Sequence, residues 1–226
     1  MNLLNPKSFE RADEGRRRLV RLGALATLFS ARPGAWAGEL ARTPAQTEGP
    51  FFPDRLPLDT DNDLLAIGDA STFADGEPAW FSGRVLDAAG GPVRGALVEI
   101  WQCDAHGAYL HSGSGNAERR DGRFQGYGRF VTGLAGTWGF RTIKPVPYPG
   151  RSPHIHVKVT RGGTHLLTTQ CYVKGHPGNG RDGIFRGLSP EQAAAVVADF
   201  VPVEGSRIGE LAASWDIVLG LTPADG

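Results

Sequence analysis

The chain of 226 residues has only two cysteines, one methionine and no net charge. A basic stripe, which is the footprint of a nucleic-acid-binding protein, is absent, and this argues against that class. The apolar stretch near the N-terminus, residues 22–31, is too short to span a bilayer. We therefore expect a globular protein that acts on a small molecule.

The two cysteines, Cys103 and Cys171, lie in segments that read as β-strand. An oxidising compartment would allow a disulfide, but the bond requires a short Cα–Cα separation that a sequence does not specify. Small buried thiols are common in strands, and we expect both cysteines to be free.

The first 37 residues differ in composition from the remainder. Consecutive arginines at 16–18 precede the apolar stretch, and a small-x-small site follows at residues 35–37. This order is typical of a secretory signal, and the arginines resemble a twin-arginine signal. We expect residues 1–37 to be a cleaved export signal and the mature protein to be periplasmic or exported. The alternative is a basic amphipathic helix that stays on the protein.

The remainder divides by composition into two segments. Residues 38–78 are rich in proline and polar side chains without a period, which indicates an extended N-terminal arm. Residues 79–226 contain short alternating stretches separated by glycine-rich turns, which indicates a domain built from strands.

Three pairs of these stretches have the form of β-hairpins. The predicted hairpins are residues 80–87 with 92–104, residues 129–132 with 137–144, and residues 154–160 with 164–173. Short strands at regular spacing with glycine turns are typical of an antiparallel β-sandwich.

One helix is predicted near the C-terminus. Ser189 and Gln192 form a capping box, and Pro190 occupies the first helical position of a segment that runs to residue 200. A closing strand is expected over residues 214–220. The predicted fold class is all-β, an antiparallel β-sandwich with one short C-terminal helix and an extended N-terminal arm.

The candidate chemistry starts from His154 and His156, which are two residues apart in an apolar, β-branched run. On a strand both imidazoles point to the same face, because side chains alternate with period 2. Two imidazoles on one face could hold a metal, and two ordinary half-buried histidines fit the pattern as well. No Asp or Glu lies within residues 147–159, so a two-His-one-carboxylate Fe(II) set is not formed locally.

Two of the four tyrosines, Tyr109 and Tyr148, lie at strand ends or in loops flanked by Gly and Pro, where sites are usually built. Two phenolates and two imidazoles form a dianionic donor set that favours a hard trivalent iron. A zinc site with another histidine stays open at this point. The other histidines are His106, His111, His165 and His176.

Longer motifs resemble a known family. Tyr-Pro-x-Arg-x-x-His-x-His begins at Tyr148, and Trp-x-x-Asp-x-x-Gly-x-Tyr ends at Tyr109. With "PAQTEGPFFP" and "NGRDGIFRGLSPEQ", these motifs are similar to those of the intradiol ring-cleavage dioxygenases, in particular the protocatechuate 3,4-dioxygenase type. The similarity runs from about Thr43 to the C-terminus. It implies that O2 cleaves a catechol-type ring between its two hydroxyl carbons and gives a cis,cis-muconate-type diacid.

Carried over residue by residue, the resemblance also implies a cofactor and a set of site residues. The implied ligands of a non-haem Fe(III) are Tyr109, Tyr148, His154 and His156. Arg151 and Gln170 would stand beside the reacting carbons, and Tyr148 would also take a catechol proton as a base.

The arm segment matches the part of the family that walls the substrate pocket. The matching residues are Thr47, Gly49 and Pro50. Phe51 stands where protocatechuate enzymes have a tyrosine, so the hydrogen bond of that hydroxyl is lost. Protocatechuate, catechol, hydroxyquinol and chlorinated catechols all stay open as substrates.

The expected partners are a small aromatic diol and O2, with no nucleic acid and no stable membrane span. A homo-oligomer could form through the arm, which would then complete a neighbour's pocket. The rival function is a non-catalytic transthyretin-like β-sandwich binding module, for which residues 83–100 alone are typical. Such a module has no reason to carry the two tyrosines and two histidines together.

Four further side chains are given structural roles. His111 is expected to order the loop that follows Tyr109, and Tyr127 is expected to be structural. Trp101 and Trp138 are expected in the core of the sandwich.

Overall fold

The computed structural model describes residues 40–68 and 72–223, all of them within the compact unit Gly38–Gly226. The predicted export signal, residues 1–37, lies outside the described residues. Within these two ranges the chain is all-β with one α-helix. Among the described residues, no helix has the length and hydropathy of a membrane span.

Ten strands occur in the part of the chain that the structure describes. They are β1 Pro78–Leu86, β2 Leu97–Trp101, β3 Tyr127–Val131, β4 Thr137–Ile143, β5 His154–Arg161, β6 Thr164–Val173, β7 Val197–Ala198, β8 Val201–Pro202, β9 Leu211–Ser214 and β10 Ile217–Val218. The helix α1, Pro190–Ala195, precedes β7. Short 3₁₀ turns are formed by Ala117–Arg119, Asn179–Arg181 and Phe185–Gly187.

The strands form two five-stranded sheets of mixed direction. In the first sheet β1 pairs with β4, β9 and β10, and β8 extends the sheet beyond β9. The second sheet has the order β3-β2-β5-β6-β7. The pairs β1–β9, β1–β10 and β6–β7 are parallel, whereas β1–β4, β2–β3, β2–β5, β5–β6 and β8–β9 are antiparallel, so the antiparallel arrangement predicted from the sequence is correct only in part. Each parallel pair involves a short C-terminal strand that is reached by a long connection, not by a tight turn.

Two of the three predicted hairpins are also wrong, because the turns lead from one sheet to the other. β1 and β2 lie in different sheets, and so do β3 and β4. An isolated bridge between Leu86 and Pro92 stands where the first hairpin was expected. Pro92 has no N–H group to donate to a ladder, which helps to end the pairing there. The third hairpin, β5 with β6, is confirmed.

The helix begins as predicted but ends earlier. Ser189 Oγ accepts a hydrogen bond from Gln192 N at 3.2 Å, and Gln192 Oε1 accepts one from Ser189 N at 2.9 Å. The helix stops at Ala195 because the next residues, Val197–Ala198, pair with the end of β6. Of the closing strand predicted over residues 214–220, only Ser214, the last residue of β9, and the two residues of β10 are in strands.

One hydrophobic cluster contains buried side chains from both sheets. It includes Phe81, Trp138 and Phe140 of the first sheet and Ile100, Ile155, Val157, Val159 and Cys171 of the second. The core position predicted for Trp138 is thereby confirmed. Cys103 and Cys171 are both free and buried, as expected. Because residues alternate along β5, the histidines on either side of Ile155 face away from this cluster.

The first sheet is closed by a tight approach between Gly83 and the segment that joins β9 to β10. A Cβ atom on Gly83 would lie 1.8 Å from the backbone oxygen of Trp215. Trp215 N donates to Ser82 O at 2.8 Å, which holds the two segments together. On the neighbouring β4, a Cβ atom on Gly139 would lie 3.6 Å from Ser82 Cβ, an ordinary contact.

We predict that Gly83→Ala lowers the free energy of unfolding by about 1–3 kcal/mol, because backbone must move to admit the methyl group. Gly139→Ala is the matched control and should change the free energy of unfolding by less than about 1 kcal/mol. Urea denaturation measures both. Equal effects of the two substitutions would contradict the close approach at Gly83.

Candidate metal centre

The register of the second sheet places five polar or aromatic side chains on its outer face. They are Trp101, His154, His156, Gln170 and Tyr172. His156 lies directly opposite Trp101 on one side and opposite Gln170 on the other, and His154 lies opposite Tyr172. Directly opposite residues share a face. The predicted alternation of Gln170 with Cys171 holds, since Cys171 lies in the core cluster.

Tyr109 is carried by the loop that follows β2, and a buried carboxylate holds that loop. Asp104 Oδ1 accepts hydrogen bonds from the N–H groups of His106 and Ala108, both at 2.9 Å. Its Oδ2 accepts one from the N–H group of Asp121 at 2.6 Å. Asp104 is the aspartate of the motif that ends at Tyr109, but its role was not predicted.

Tyr148 lies in the turn that precedes β5. Arg151 N donates to Tyr148 O at 2.9 Å and closes this turn. Gly107, in the Tyr109 loop, has a φ of +78°, and a Cβ atom there would lie 3.3 Å from Tyr148 Cβ. Glycine therefore permits both the loop conformation and the approach of the two tyrosine-bearing segments.

The four side chains predicted as ligands meet at one place. His154 Nε2 lies 3.1 Å from His156 Nε2 and 3.3 Å from the Tyr109 hydroxyl. The ring centroid of Tyr148 lies 5.7 Å from that of His154 and 5.5 Å from that of Tyr109. Residues from the β2 loop, the Tyr148 turn and β5 are thus brought together.

The hydrogen bond of His154 and the separation of the two Nε2 atoms fit a metal between the imidazoles. His154 Nδ1 lies 2.6 Å from Ser152 O, so Nδ1 carries the proton and Nε2 presents its lone pair to the cluster. His156 Nδ1 is buried without a partner, and the indole of Trp101 stacks on this ring at 4.8 Å. If two nitrogen ligands each lie about 2.1 Å from one metal ion, and the angle between them at the ion is roughly a right angle, they are about 3 Å apart. The Nε2 separation has this value.

Burial disfavours charge on all four side chains. Burial, with repulsion from Arg151, lowers the pKa of His154 to about 4. Burial, with repulsion from His154 and Arg151, holds the pKa of His156 well below its usual value. Burial raises the pKa of Tyr109 and of Tyr148. The imidazoles are therefore neutral, as ligands must be, and phenolates form here only when a strong positive charge compensates them.

Arg151 and Gln170 lie together beside this cluster. Arg151 Nη2 donates to Gln170 Oε1 and, at 3.3 Å, to the hydroxyl of Tyr172. Gln170 is completely buried, and its Nε2 donates to Thr47 O at 2.9 Å. Tyr172 was not anticipated, although its place two residues after Gln170 puts it on the same face.

The N-terminal segment that contains the predicted pocket-wall residues lies against its own chain. Thr47 contacts Gln170 as described above, and a Cβ atom on Gly49 would lie 3.4 Å from His156 Cε1. Pro50 is exposed in the turn that follows Gly49. The ring of Phe51 stacks on Tyr109, with centroids 5.0 Å apart.

The expectation that Trp101 belongs to the sandwich core is wrong. Trp101 lies in a second buried cluster with Cys103, Tyr109 and Tyr127. Ile100 points into the core cluster, and alternation along β2 therefore turns Trp101 to the outer face. Its indole lies against the imidazole of His156 instead of between the sheets.

The other four histidines are engaged elsewhere. His106 Nε2 lies 3.4 Å from Asp75 Oδ2, and His165 Nε2 lies 2.8 Å from Thr168 Oγ1. Gly113 N donates to His111 Nδ1 at 2.9 Å, and Gly178 N donates to His176 Nδ1 at 3.0 Å. The loop-ordering role expected of His111 matches this contact. In residues 40–68 and 72–223, no group of three His, Cys, Asp or Glu is placed to hold a metal.

We predict that Asp104→Asn lowers the free energy of unfolding by about 1–3 kcal/mol, because an amide nitrogen must then face a buried N–H group. Asp87→Asn is the matched control, since Asp87 Oδ1 alone accepts from Ala89 N and Gly91 N and an asparagine oxygen can replace it. The free energy of unfolding of the control should lie within about 0.5 kcal/mol of that of the parent. Thermal and urea unfolding test both variants. An Asp104→Asn protein that is as stable as the parent would contradict the role of Asp104 in holding the Tyr109 loop.

Comparison with known proteins identifies the family of the chain. A family model described as "Dioxygenase" matches residues 47–220. The protocatechuate 3,4-dioxygenase beta chain of Burkholderia cepacia is 36% identical over an alignment of 175 positions, which covers 74% of this chain and 73% of that one. The hydroxyquinol 1,2-dioxygenase of Rhodococcus opacus is 33% identical over an alignment of 147 positions, which covers 57% of this chain. The match spans 45% of that relative, so the chain covers about half the length of the hydroxyquinol enzymes.

Two solved structures show the same fold. The dioxygenase domain of a dioxygenase carbohydrate-binding protein fusion from Streptomyces sp. SirexAA-E has a TM-score of 0.61 and 33% identity, covering 80% of this chain and 99% of that one. The 3-chlorocatechol 1,2-dioxygenase of Rhodococcus opacus 1CP has a TM-score of 0.62 and 24% identity, covering 80% of this chain and 74% of that one. With a family model that matches most of its length and a relative that aligns over about three quarters of both chains, this protein belongs to the intradiol ring-cleavage dioxygenase family.

Proposed function

We propose that the protein is a non-haem Fe(III) dioxygenase that cleaves the ring of a catechol-type aromatic between its two hydroxyl carbons with O2. The product would be a cis,cis-muconate-type diacid. One observation carries the proposal: His154 Nε2 lies 3.1 Å from His156 Nε2 and 3.3 Å from the Tyr109 hydroxyl, beside the ring of Tyr148. The names of the relatives, which act on protocatechuate and hydroxyquinol, support a catechol-type substrate.

The donor set supports Fe(III) as the metal. Two phenolate oxygens are hard anionic donors, and a trivalent ion compensates their charge in a buried site better than a divalent one. Bound Fe(III) would supply the Lewis acidity that holds the substrate as a catecholate and makes its ring reactive towards O2.

Tyr148 is the residue that we assign as the base. A catechol releases two protons when it binds as a dianion, and the phenolate oxygen that Tyr148 would present as a ligand would accept one of them. Tyr148 is half-buried, whereas Tyr109 is 1% exposed, so Tyr148 has more freedom to change its position. Burial raises the pKa of Tyr148, and the positive charge of the Arg151 guanidinium lowers it.

Arg151 and Gln170 would stabilise charge that develops on the substrate. Arg151 is a permanent cation whose field reaches the two tyrosines and the two histidines. Gln170 accepts a hydrogen bond from Arg151 Nη2 and donates one to the backbone oxygen of Thr47. The guanidinium is therefore held in place before the substrate arrives.

We also propose the domain organisation that the sequence predicts. The two sheets, which share one core, would form the β-sandwich of a catalytic domain at residues 79–226, and residues 38–78 would be the arm. Thr47, Gly49 and Pro50 would then wall the substrate pocket. Phe51 covers Tyr109 with an apolar ring, which favours the ring carbons of a substrate over a polar substituent at that point.

We predict that Tyr109→Phe and Tyr148→Phe each weaken the visible charge-transfer band of the iron-loaded protein. Each should also lower the rate of catechol-dependent O2 uptake by about 100-fold or more, since one anionic ligand is lost. Tyr127→Phe is the matched control, because the Tyr127 hydroxyl donates to Glu99 outside the ligand set. It should keep the colour and most of the activity.

Two results would contradict the proposal in different ways. A protein that stays colourless and inactive after Fe(III) loading would favour the transthyretin-like binding module. An active enzyme in which Tyr148→Phe is mild would favour zinc or Fe(II) held by the histidine pair.

We further propose that residues 1–37 direct export by the twin-arginine route. Replacing Arg16 and Arg17 by lysine should retain the protein in the cytoplasm, whereas Arg11→Lys should not. Cell fractionation and the intact mass of the exported protein test this, and the mass should correspond to a chain that begins at Gly38. An exported protein that keeps Met1, or an unaffected double-lysine variant, would contradict the proposal.

A further inference from the structure

A buried carboxylate lies behind Arg151, and the proposed chemistry does not use it. Asp182 is 1% exposed and directly follows the 3₁₀ turn Asn179–Arg181. Its Oδ2 accepts from Arg151 Nε and from the N–H group of Ser152, both at 2.9 Å. Its Oδ1 accepts from the N–H groups of Ile184 and Phe185, at 2.9 Å and 3.1 Å.

We propose that Asp182 is a positioning residue that sets the orientation of the Arg151 guanidinium at the metal centre; the inference rests on the function proposed above. A guanidinium is planar and rigid, so a bond to Nε fixes both its plane and its rotation. With Nε held by Asp182, Nη2 reaches Gln170 and Tyr172. The cation is thus fixed from two sides by side chains that come from different segments of the chain.

The surroundings of Asp182 keep it an anion. Burial alone would raise its pKa, but the hydrogen bonds from Ser152, Phe185 and Arg151 outweigh burial and hold the pKa below the usual value. The side chain of Arg151 is 16% exposed and that of Asp182 is completely buried. Removing one member of such a pair leaves the other charge inside the protein without compensation.

The two carboxylate oxygens have separate tasks, which makes the proposal testable. Oδ1 binds only the backbone of the loop that leads to α1, and Oδ2 binds Arg151 and the start of the segment that enters β5. A residue that served only the loop would matter whether or not Arg151 were present. A residue that acts through Arg151 loses its effect on catalysis once Arg151 is gone.

The test is a double-mutant cycle with Asp182→Asn and Arg151→Met in the iron-loaded full chain, assayed with catechol and O2. Asp182→Asn should lower kcat by about 10- to 100-fold, the cost of a misplaced catalytic group, with a smaller change in KM. In the Arg151→Met background the same substitution should change kcat by less than about twofold. Iron content and the visible band of the substrate-free Asp182→Asn protein should equal those of the parent.

Two further variants complete the design. Asp182→Glu keeps an anionic oxygen for Arg151 and should recover part of the kcat that Asp182→Asn loses. If Asp182→Asn does not fold, Asp182→Glu takes its place in the cycle. Asp216→Asn is the matched control, since Asp216 binds both the side chain and the backbone N–H group of Arg84 on the first sheet. It should leave kcat unchanged.

Each contrary result has a distinct meaning. The inference would be overturned if the Asp182 substitution lowered kcat as much in the Arg151→Met background as in the parent. It would also be overturned if that substitution alone removed iron or colour. In both cases the proposed function stands. A parent protein without colour or ring-cleaving activity would overturn the proposed function, and this inference with it.

Discussion

The site depends on the alternation of side chains along β5. Ile155, Val157 and Val159 lie in the core that both sheets share, and this burial fixes which face of the strand is turned inward. His154 and His156 are therefore held on the outer face, with their Nε2 atoms 3.1 Å apart. A shift of the pairing by one residue would place both imidazoles in the core and the valines in the site. The apolar residues of β5 thus position the proposed ligands.

The remaining groups are brought to this face by buried carboxylates that bind backbone N–H groups. Asp104 anchors the loop that carries Tyr109, and Asp182 anchors the turn that carries Arg151. Loops have few contacts of their own, so a buried acceptor with several backbone donors is an effective way to hold them. Trp101 and Phe51 then cover the imidazole and phenol rings and limit access of water to the centre.

Local patterns in the sequence were sufficient to predict that His154 and His156 share a face, that Gln170 and Cys171 point in opposite directions, and that α1 begins with a capping box. Each depends on residues within four positions of one another. The turns after β1 and β3 have the composition of hairpin turns, yet the strands on either side of each turn lie in different sheets. β1 pairs with β4 and β3 pairs with β2, and these partners lie at least 26 residues away along the chain. The same limit applies to Asp182. It stands in a motif that resembles the family, but its partner Arg151 is 31 positions earlier and only the fold brings the two together.

The central claim is that two tyrosines and two histidines bind one iron ion. The most direct measurement is a crystal structure of the iron-loaded protein with anomalous diffraction recorded at the iron absorption edge. We expect one anomalous peak within about 2.3 Å of His154 Nε2, His156 Nε2 and the hydroxyl oxygens of Tyr109 and Tyr148, the distance of a direct metal–ligand bond. A peak elsewhere, or one bonded to the histidines but to neither tyrosine, would contradict the account.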